Sequence, residues 1–355
     1  MLESFLIYNA FLLFVIIVGF LFYLIRKEGI KHSIIIYRIL LLVLILFTGL
    51  RFDVGTDYSF HLSDFVDRSY SKYGPSYILL TKAFENIDNG FYWIILITCI
   101  ITYTFLFRAV SSNKSEHIAV PIFIILFLFQ FNNILRQAIS SSIFLYSIKF
   151  ITEKNPVKYI LYILLAGSFH YSALFLLPLY YVNKVSINKY VFIVAAAFAF
   201  IIPRSESSLN VILTQIFHLP YYSHYVFTEF ALQGEKNTGL GLIVKTLLGL
   251  ILILNRPGES ESKEVNVYYN LFIIGFLLIP FANKIAVFDR IIYYFDITLL
   301  NIIPIFLSSK NFSLWSYISK AIVIILCLAL FEAGIYFNTG KNTPYRTIFS
   351  THQKS

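Results

Sequence analysis

Three arginines are the residues of this chain best suited to chemistry, because each lies beside an apolar segment in a sequence with few charges. They are Arg51, Arg136 and Arg290. A charged side chain is costly near a lipid bilayer unless it is used. The guanidinium group stays charged and donates hydrogen bonds in a fork that fits phosphate. Together the three predict a site for an anionic lipid headgroup, above all a pyrophosphate, although a structural ion pair would explain any one of them alone.

Candidate proton carriers lie in two short segments. One is the run Arg-Phe-Asp-Val-Gly-Thr-Asp-Tyr at 51–58, and the other is Phe-His-Tyr-Ser at 169–172. Asp57 could act as a general base toward a sugar hydroxyl, or it could form a salt bridge that holds Arg51. His170 could move a proton or bind a phosphate, although a lone histidine in an apolar run is often structural. Tyr58 could stack on a sugar ring or belong to an interfacial aromatic belt.

Arg136 and Gln137 follow two asparagines that could cap a turn between membrane spans, and a run of small residues comes next. In a helix, Arg136 and Ser140 share one face, one turn apart. Small residues allow helices to pack closely, which explains the serines but not the arginine. We therefore predict Arg136 and His170 to be catalytic with Asp57, and Gln137 to bind substrate with Arg51, Arg290 and Tyr58.

A metal site is the alternative for the acidic residues of the first segment. Asp57, His61 and Asp64 are spaced i, i+4 and i+7, so one helix face would hold all three. Gly55 and its Ser/Thr neighbours instead indicate a turn before the helix, with the glycine supplying an unusual backbone angle. We expect no metal and no cofactor. The sequence has no Walker motif, nucleophile elbow or H-E-x-x-H zinc site.

Composition shows what must position these residues. The 355-residue chain is 58% hydrophobic and 13% charged, whereas soluble domains carry about 25% charged residues. This composition predicts an all-α, polytopic integral membrane protein with about 11–12 transmembrane helices. Cys99 and Cys327 lie in apolar runs, and the first apolar segment, at 5–25, indicates a permanent span and not a signal peptide. The net charge of +9 sits largely in loops, so nucleic-acid binding is excluded.

Apolar segments and basic loops predict the topology. The segments are 4–25, 34–50, 91–109, 118–132, 134–152, 157–168, 171–182, 190–203, 240–254, 267–282, 291–307 and 314–333. The basic connection at 26–32 is expected inside, which puts residues 51–58 outside. A helix break at His170 would keep Lys184 and Lys189 inside, whereas one long helix would move them outside. The positive-inside bias favours the break.

This topology makes residues 1–355 a single membrane domain with three longer outer segments. The first, 51–90, contains a predicted interfacial helix at 77–87. The second is 203–239, and the third is the polar tail, 334–355.

Three motifs in order resemble the EpsG-like branch of the Wzy-type polysaccharide polymerases. Residues 51–58 are similar to its R-x-x-x-G-T-D-Y segment, 133–138 to its N-x-x-R-Q-x element, and 169–174 to its F-H-x-S-A-L element. The resemblance covers roughly residues 45–180. Beyond them it rests on hydropathy and on Arg290 before a tyrosine-rich span.

The resemblance implies an O-antigen polymerase-like glycosyltransferase, metal-independent and built on a GT-C-related scaffold. Such enzymes join oligosaccharide units carried on undecaprenyl pyrophosphate into O-antigen, capsule or exopolysaccharide. They act on the outer face of the bacterial cytoplasmic membrane, where a chain-length regulator and a flippase are conceivable partners. The family's functional positions would fall on Arg51, Asp57, Arg136, His170 and Arg290.

Three other functions remain alternatives. A flippase for lipid-linked oligosaccharides would also need cations, but along a cavity open in turn to both sides. An O-antigen ligase shares the donor chemistry and differs only in its acceptor. A membrane acyltransferase would need a histidine well inside the membrane and has little use for several arginines.

Overall fold

The structure is a computed structural model that describes residues 2–29, 33–111, 115–185, 187, 189–201, 239–257, 262–282, 286–309 and 313–353. Regular structure in these residues is helical, apart from an isolated bridge between Arg51 and Thr347. The α-helices are α1 Leu2–Lys27, α2 Ser33–Gly49, α3 Thr56–Val66, α4 Pro75–Phe84, α5 Gly90–Ser111, α6 Glu116–Asn133, α7 Leu135–Ser147, α8 Lys149–Thr152, α9 Pro156–Phe169, α10 Lys189–Ile201, α11 Leu240–Leu254, α12 Lys263–Ala282, α13 Ala286–Asp296, α14 Leu299–Ser308 and α15 Leu314–Tyr336.

Long apolar helices confirm the predicted class of an all-α, multi-pass membrane protein. In the described ranges, α1, α5, α6, α12 and α15 are each long and apolar enough to cross a bilayer. The pair α13 and α14 adds a further span if it counts as one, bent by 41° at its break. The shorter apolar helices α2, α9, α10 and α11 complete the pattern.

Two of the predicted spans differ in detail from the structure. The segment 134–152 is interrupted after Ser147, so that α8 forms a separate short helix. The segment 291–307 begins earlier, at Ala286, and breaks after Asp296. Hydropathy averaged over a whole span misses both breaks, although Lys149 and Asp296 lie beside them.

The described residues form two compact units, Met1–Tyr180 with Ile303–Ser355, and Tyr181–Ile302. In the first unit α7 packs on α5 and α9, and α1 packs on α6. The serines of the predicted small-residue run, Ser140–Ser142, are fully buried. The Ser140 hydroxyl donates to the Ala166 carbonyl across the α7–α9 contact at 2.7 Å. Close packing by these small residues is therefore confirmed.

The predicted break at His170 is confirmed. Helix α9 ends at Phe169, and His170 is extended (φ −148°, ψ 111°). Residues Tyr171–Lys184 then form a 3₁₀ helix. This helix turns back along α9, and the Tyr159 hydroxyl donates to the Leu176 carbonyl at 2.6 Å. The 3₁₀ rise lets these 14 residues cover about 28 Å, against about 21 Å for an α-helix.

The first outer segment holds two helices. The predicted interfacial helix at 77–87 corresponds to α4, which begins at Pro75 after Gly74, as expected for a proline in a first helical turn. Helix α3 precedes it and begins at Thr56, directly after the turn that the sequence indicated at Gly55. The two helices and the loop between them hold a layer of buried aromatic side chains, which includes Tyr58, Tyr73 and Tyr77.

In the second unit, α10 and α11 pack on α12, and α12 packs on α13. The Asn270 amide on α12 donates to the carbonyl groups of Val182 and Val185, at 3.2 and 2.8 Å. Arg256 donates to the Ile187 carbonyl and the Asn266 side chain, at 3.1 and 2.9 Å. The second predicted outer segment, 203–239, falls outside the described residues except for Gly239.

Candidate active site

Arg136 lies in the first turn of α7 and stacks on an aromatic ring. Its guanidinium carbon is 3.8 Å from the centre of the Tyr73 ring and 5.8 Å from that of Tyr77. In the described part of the chain, no carboxylate pairs with it. The positive end of a helix dipole disfavours a cation and attracts an anion. Because no carboxylate of the described residues neutralises Arg136, this end of α7 is a candidate phosphate site.

Tyr73 is itself held by Asp64. The Tyr73 hydroxyl donates to one carboxylate oxygen of Asp64, and Lys72 Nζ lies 3.0 Å from the other. Burial, followed by this hydrogen bond, raises the pKa of Tyr73 above its ordinary value. Burial likewise raises the pKa of Tyr77 to about 12. Both phenols are therefore neutral at physiological pH.

His61 completes the aromatic layer on α3. Its ring centre lies 6.1 Å from that of Tyr73 and 6.4 Å from that of Tyr77. Of the three residues in the alternative metal site, His61 and Asp64 are buried on α3, whereas Asp57 is half-buried. Within the described ranges, however, no group of three His, Cys, Asp or Glu side chains could hold a metal ion. The Asp64 carboxylate contacts Lys72 and Tyr73 instead.

His170 reaches the same loop through the end of α9. A Cβ added at Gly74 would lie 2.3 Å from the Ser168 carbonyl oxygen, so only glycine allows this approach. The hydroxyls of Ser76 and Ser168 lie 2.7 Å apart, and the Tyr171 hydroxyl donates to the Tyr73 carbonyl at 3.4 Å. The loop of Tyr73 and Gly74 thus contacts both Arg136 and the end of α9, where His170 is buried. The catalytic roles of Arg136 and His170 stay predictions.

Arg51 has a different position from Arg136. It is 1% exposed, and its guanidinium donates to the Thr48 carbonyl at 2.5 Å and the Asn132 carbonyl at 3.1 Å. A third contact is Cys99 Sγ at 3.7 Å. These groups join the ends of α2 and α6 to α5. The arrangement favours the structural alternative for Arg51 over the predicted substrate contact.

Asn133 caps a helix that is distant in sequence. Its side-chain oxygen accepts from the backbone N–H of Thr56 and, at 3.4 Å, from that of Asp57. Gly55 has φ +109° just before this helix, which confirms its predicted unusual backbone angle. A Cβ there would approach the Asn132 carbonyl oxygen to 3.0 Å. The first two motifs are therefore one folded unit that fixes half-buried Asp57 at the start of α3.

Three other predicted site residues lie as follows. Tyr58 is buried in edge contact with Phe91, with ring centres 5.3 Å apart, so its described contacts are packing contacts. Gln137 is buried beside Arg136 on α7. Arg290 lies on α13 of the second unit and is exposed, and its role in binding substrate stays a prediction.

The C-terminal segment packs against the first motif, residues 51–58, and the sequence did not predict this contact. Asn342 is fully buried. Its side chain accepts from Asn132 Nδ2 at 2.9 Å and donates to the Phe129 carbonyl at 3.1 Å. The Gly55 N–H donates to the Lys341 carbonyl at 2.9 Å. Asn132 and Asn342 are about 210 residues apart, so no local sequence pattern connects them. The sequence signal for this contact was only that the tail contains a polar asparagine.

We expect Asn342→Ala to destabilise the protein by about 2–4 kcal/mol, because it leaves several buried polar groups without hydrogen-bond partners. The measurement is the melting temperature of detergent-purified protein. Arg346→Ala is the control, since that side chain is exposed and lies 3.9 Å from exposed Asp53. Exposed ion pairs contribute little to stability. Equal melting temperatures for the two variants would contradict the support role of Asn342.

Comparison with known proteins decides the family. The EpsG family matches residues 34–347, a range that includes all three motifs and the tail residues that support them. The chain belongs to the EpsG family. Membership points to a polysaccharide polymerase, which in general terms is a glycosyltransferase-like enzyme. No curated protein and no solved structure matches the chain.

Proposed function

We propose that this EpsG-family protein joins oligosaccharide units carried on undecaprenyl pyrophosphate into a surface polysaccharide. Arg136 carries the proposal: it is a half-buried guanidinium at a helix N-terminus that stacks on Tyr73, without a carboxylate partner in the described residues. Such a group suits a pyrophosphate, which a lipid-linked donor presents at the membrane surface.

The proposed reaction forms one glycosidic bond and breaks another. A hydroxyl at the non-reducing end of the incoming unit attacks the anomeric carbon of the growing chain, and the bond from that carbon to the pyrophosphate oxygen breaks. Negative charge increases on the departing pyrophosphate, where Arg136 and the N-terminus of α7 stabilise it. The hydroxyl proton passes to Asp57 or to His170. In this proposal arginine supplies the stabilising charge.

From the positive-inside distribution we infer that this chemistry takes place on the outer face of the bacterial cytoplasmic membrane. Helix α1 ends in Arg26 and Lys27, and Arg26 pairs with Glu116 at 2.8 Å. At the other end of α1, the Ser4 hydroxyl accepts from the backbone N–H of Tyr345 at 2.9 Å. The basic end of α1 is thus opposite the end that holds the tail and the motifs.

The test uses purified protein with a single lipid-pyrophosphate-linked oligosaccharide in detergent and EDTA. We expect a ladder of products, since one substrate serves as both donor and acceptor. A flippase would yield no product, and a ligase would need a different acceptor. Two results would contradict the proposal: no ladder of products, or a ladder that forms only when a divalent ion is added back.

A further inference from the structure

Arg136 is positioned by an aromatic face and not by an acid. Stacking occupies the flat face of the guanidinium and leaves the N–H groups around its edge available. Its Nε is enclosed by protein, so the terminal N–H groups are the ones that a phosphate would contact. A carboxylate partner would neutralise the charge and occupy the same edge.

Asp64 acts on the opposite side of Tyr73. It accepts the hydrogen bond of the Tyr73 hydroxyl, which fixes the ring and moves electron density toward the face that Arg136 contacts. Lys72 lies 3.0 Å from the other carboxylate oxygen and offsets the charge of Asp64. Asp64 is buried, with 7% exposed.

The same loop contains a matched pair that lacks the arginine. The Tyr70 hydroxyl donates to Glu85, as that of Tyr73 does to Asp64. Tyr70 is also buried, at 5% exposed. In the described ranges, no cation lies over its ring. The two pairs therefore share a hydrogen bond between a tyrosine and a carboxylate, and differ in the guanidinium.

We propose that Asp64 and Tyr73 are positioning residues that hold the Arg136 guanidinium ready for a pyrophosphate group. Asp64 acts only through Tyr73, and Tyr73 only through Arg136. This inference rests on the proposed function, because it assumes that Arg136 binds the pyrophosphate.

The experiment measures the Kd of undecaprenyl pyrophosphate for the detergent-purified full chain. Asp64→Asn, Tyr73→Leu and Glu85→Gln are each made in the wild-type background and with Arg136→Ala. We expect Tyr73→Leu to weaken binding about 2- to 30-fold, the range of a cation–π contact. Asp64→Asn should weaken it less, and Glu85→Gln should leave it unchanged. With Arg136→Ala, neither Tyr73→Leu nor Asp64→Asn should weaken binding further.

Other results distinguish the positioning role of Asp64 and Tyr73 from the proposed binding of pyrophosphate by Arg136. Equal weakening in both backgrounds would overturn the positioning role, because the loss would then come from the fold. If Arg136→Ala alone left the Kd unchanged, the proposed function of Arg136 would fail with it. If Asp64→Asn or Tyr73→Leu did not fold, Tyr73→Phe would decide: it keeps the ring, loses the hydrogen bond, and should match the smaller effect expected for Asp64→Asn.

Discussion

Cells that carry Arg136→Ala should produce no long glycan chains, although the variant reaches the membrane in normal amounts. Removing one donor to a developing negative charge costs roughly 10²–10³ in rate. The side chain is half-buried, and its contacts in the described residues are two aromatic faces, so folding depends on it little. The measurement is the glycan ladder on a gel, compared at equal amounts of membrane protein.

Two variants serve as controls for that experiment. Arg136→Lys keeps a point charge but loses the flat fork, so it should retain short chains. Arg68→Ala removes an arginine of the same outer segment, which donates to Asn86 at 2.8 Å on the exposed surface, and it should give a normal ladder. A normal ladder in Arg136→Ala would refute the assignment.

Arg51→Ala should fail in a different way, by losing folded protein. It removes buried hydrogen bonds from a charged group to the Thr48 and Asn132 carbonyls and leaves a cavity. Hydrogen bonds to charged groups are worth about 1.5–3 kcal/mol each, so we expect a loss of at least about 3 kcal/mol. The measurement is the melting temperature and the monodisperse yield after purification.

The comparison with Cys99→Ala isolates the effect of the arginine. That variant removes the long sulfur contact of Arg51, at 3.7 Å, and keeps both carbonyl contacts, so it should melt much closer to wild type than Arg51→Ala. If Arg51→Ala instead melted normally but made no polymer, Arg51 would be a substrate residue, as the sequence alone predicts.

The sequence predicted the main features of the fold because hydropathy and charge dominate it. The break at His170 followed from the positive-inside bias, and the angle at Gly55 from a glycine beside a turn. These features depend on neighbouring residues or on the bilayer. That Arg136 and His170 act at one membrane face stays a prediction.

The features that the sequence did not predict depend on contacts between residues that are distant in the chain. The sequence places Arg51 and Arg136 in one predicted site, as a substrate-binding and a catalytic residue, but burial separates them, since Arg51 is enclosed between the ends of α2 and α6. Asn342 supports the first motif across about 210 residues. The role of Tyr73 was not predicted, because the chain has 26 tyrosines and composition does not distinguish one from another.

In the proposed mechanism Arg136 contacts the pyrophosphate leaving group. The most direct measurement compares kcat/KM for a pyrophosphate-linked and a monophosphate-linked oligosaccharide donor, in wild type and in Arg136→Ala. We predict that wild type strongly prefers the pyrophosphate donor and that most of this preference is lost in the variant. A preference that stayed the same in Arg136→Ala would contradict the account.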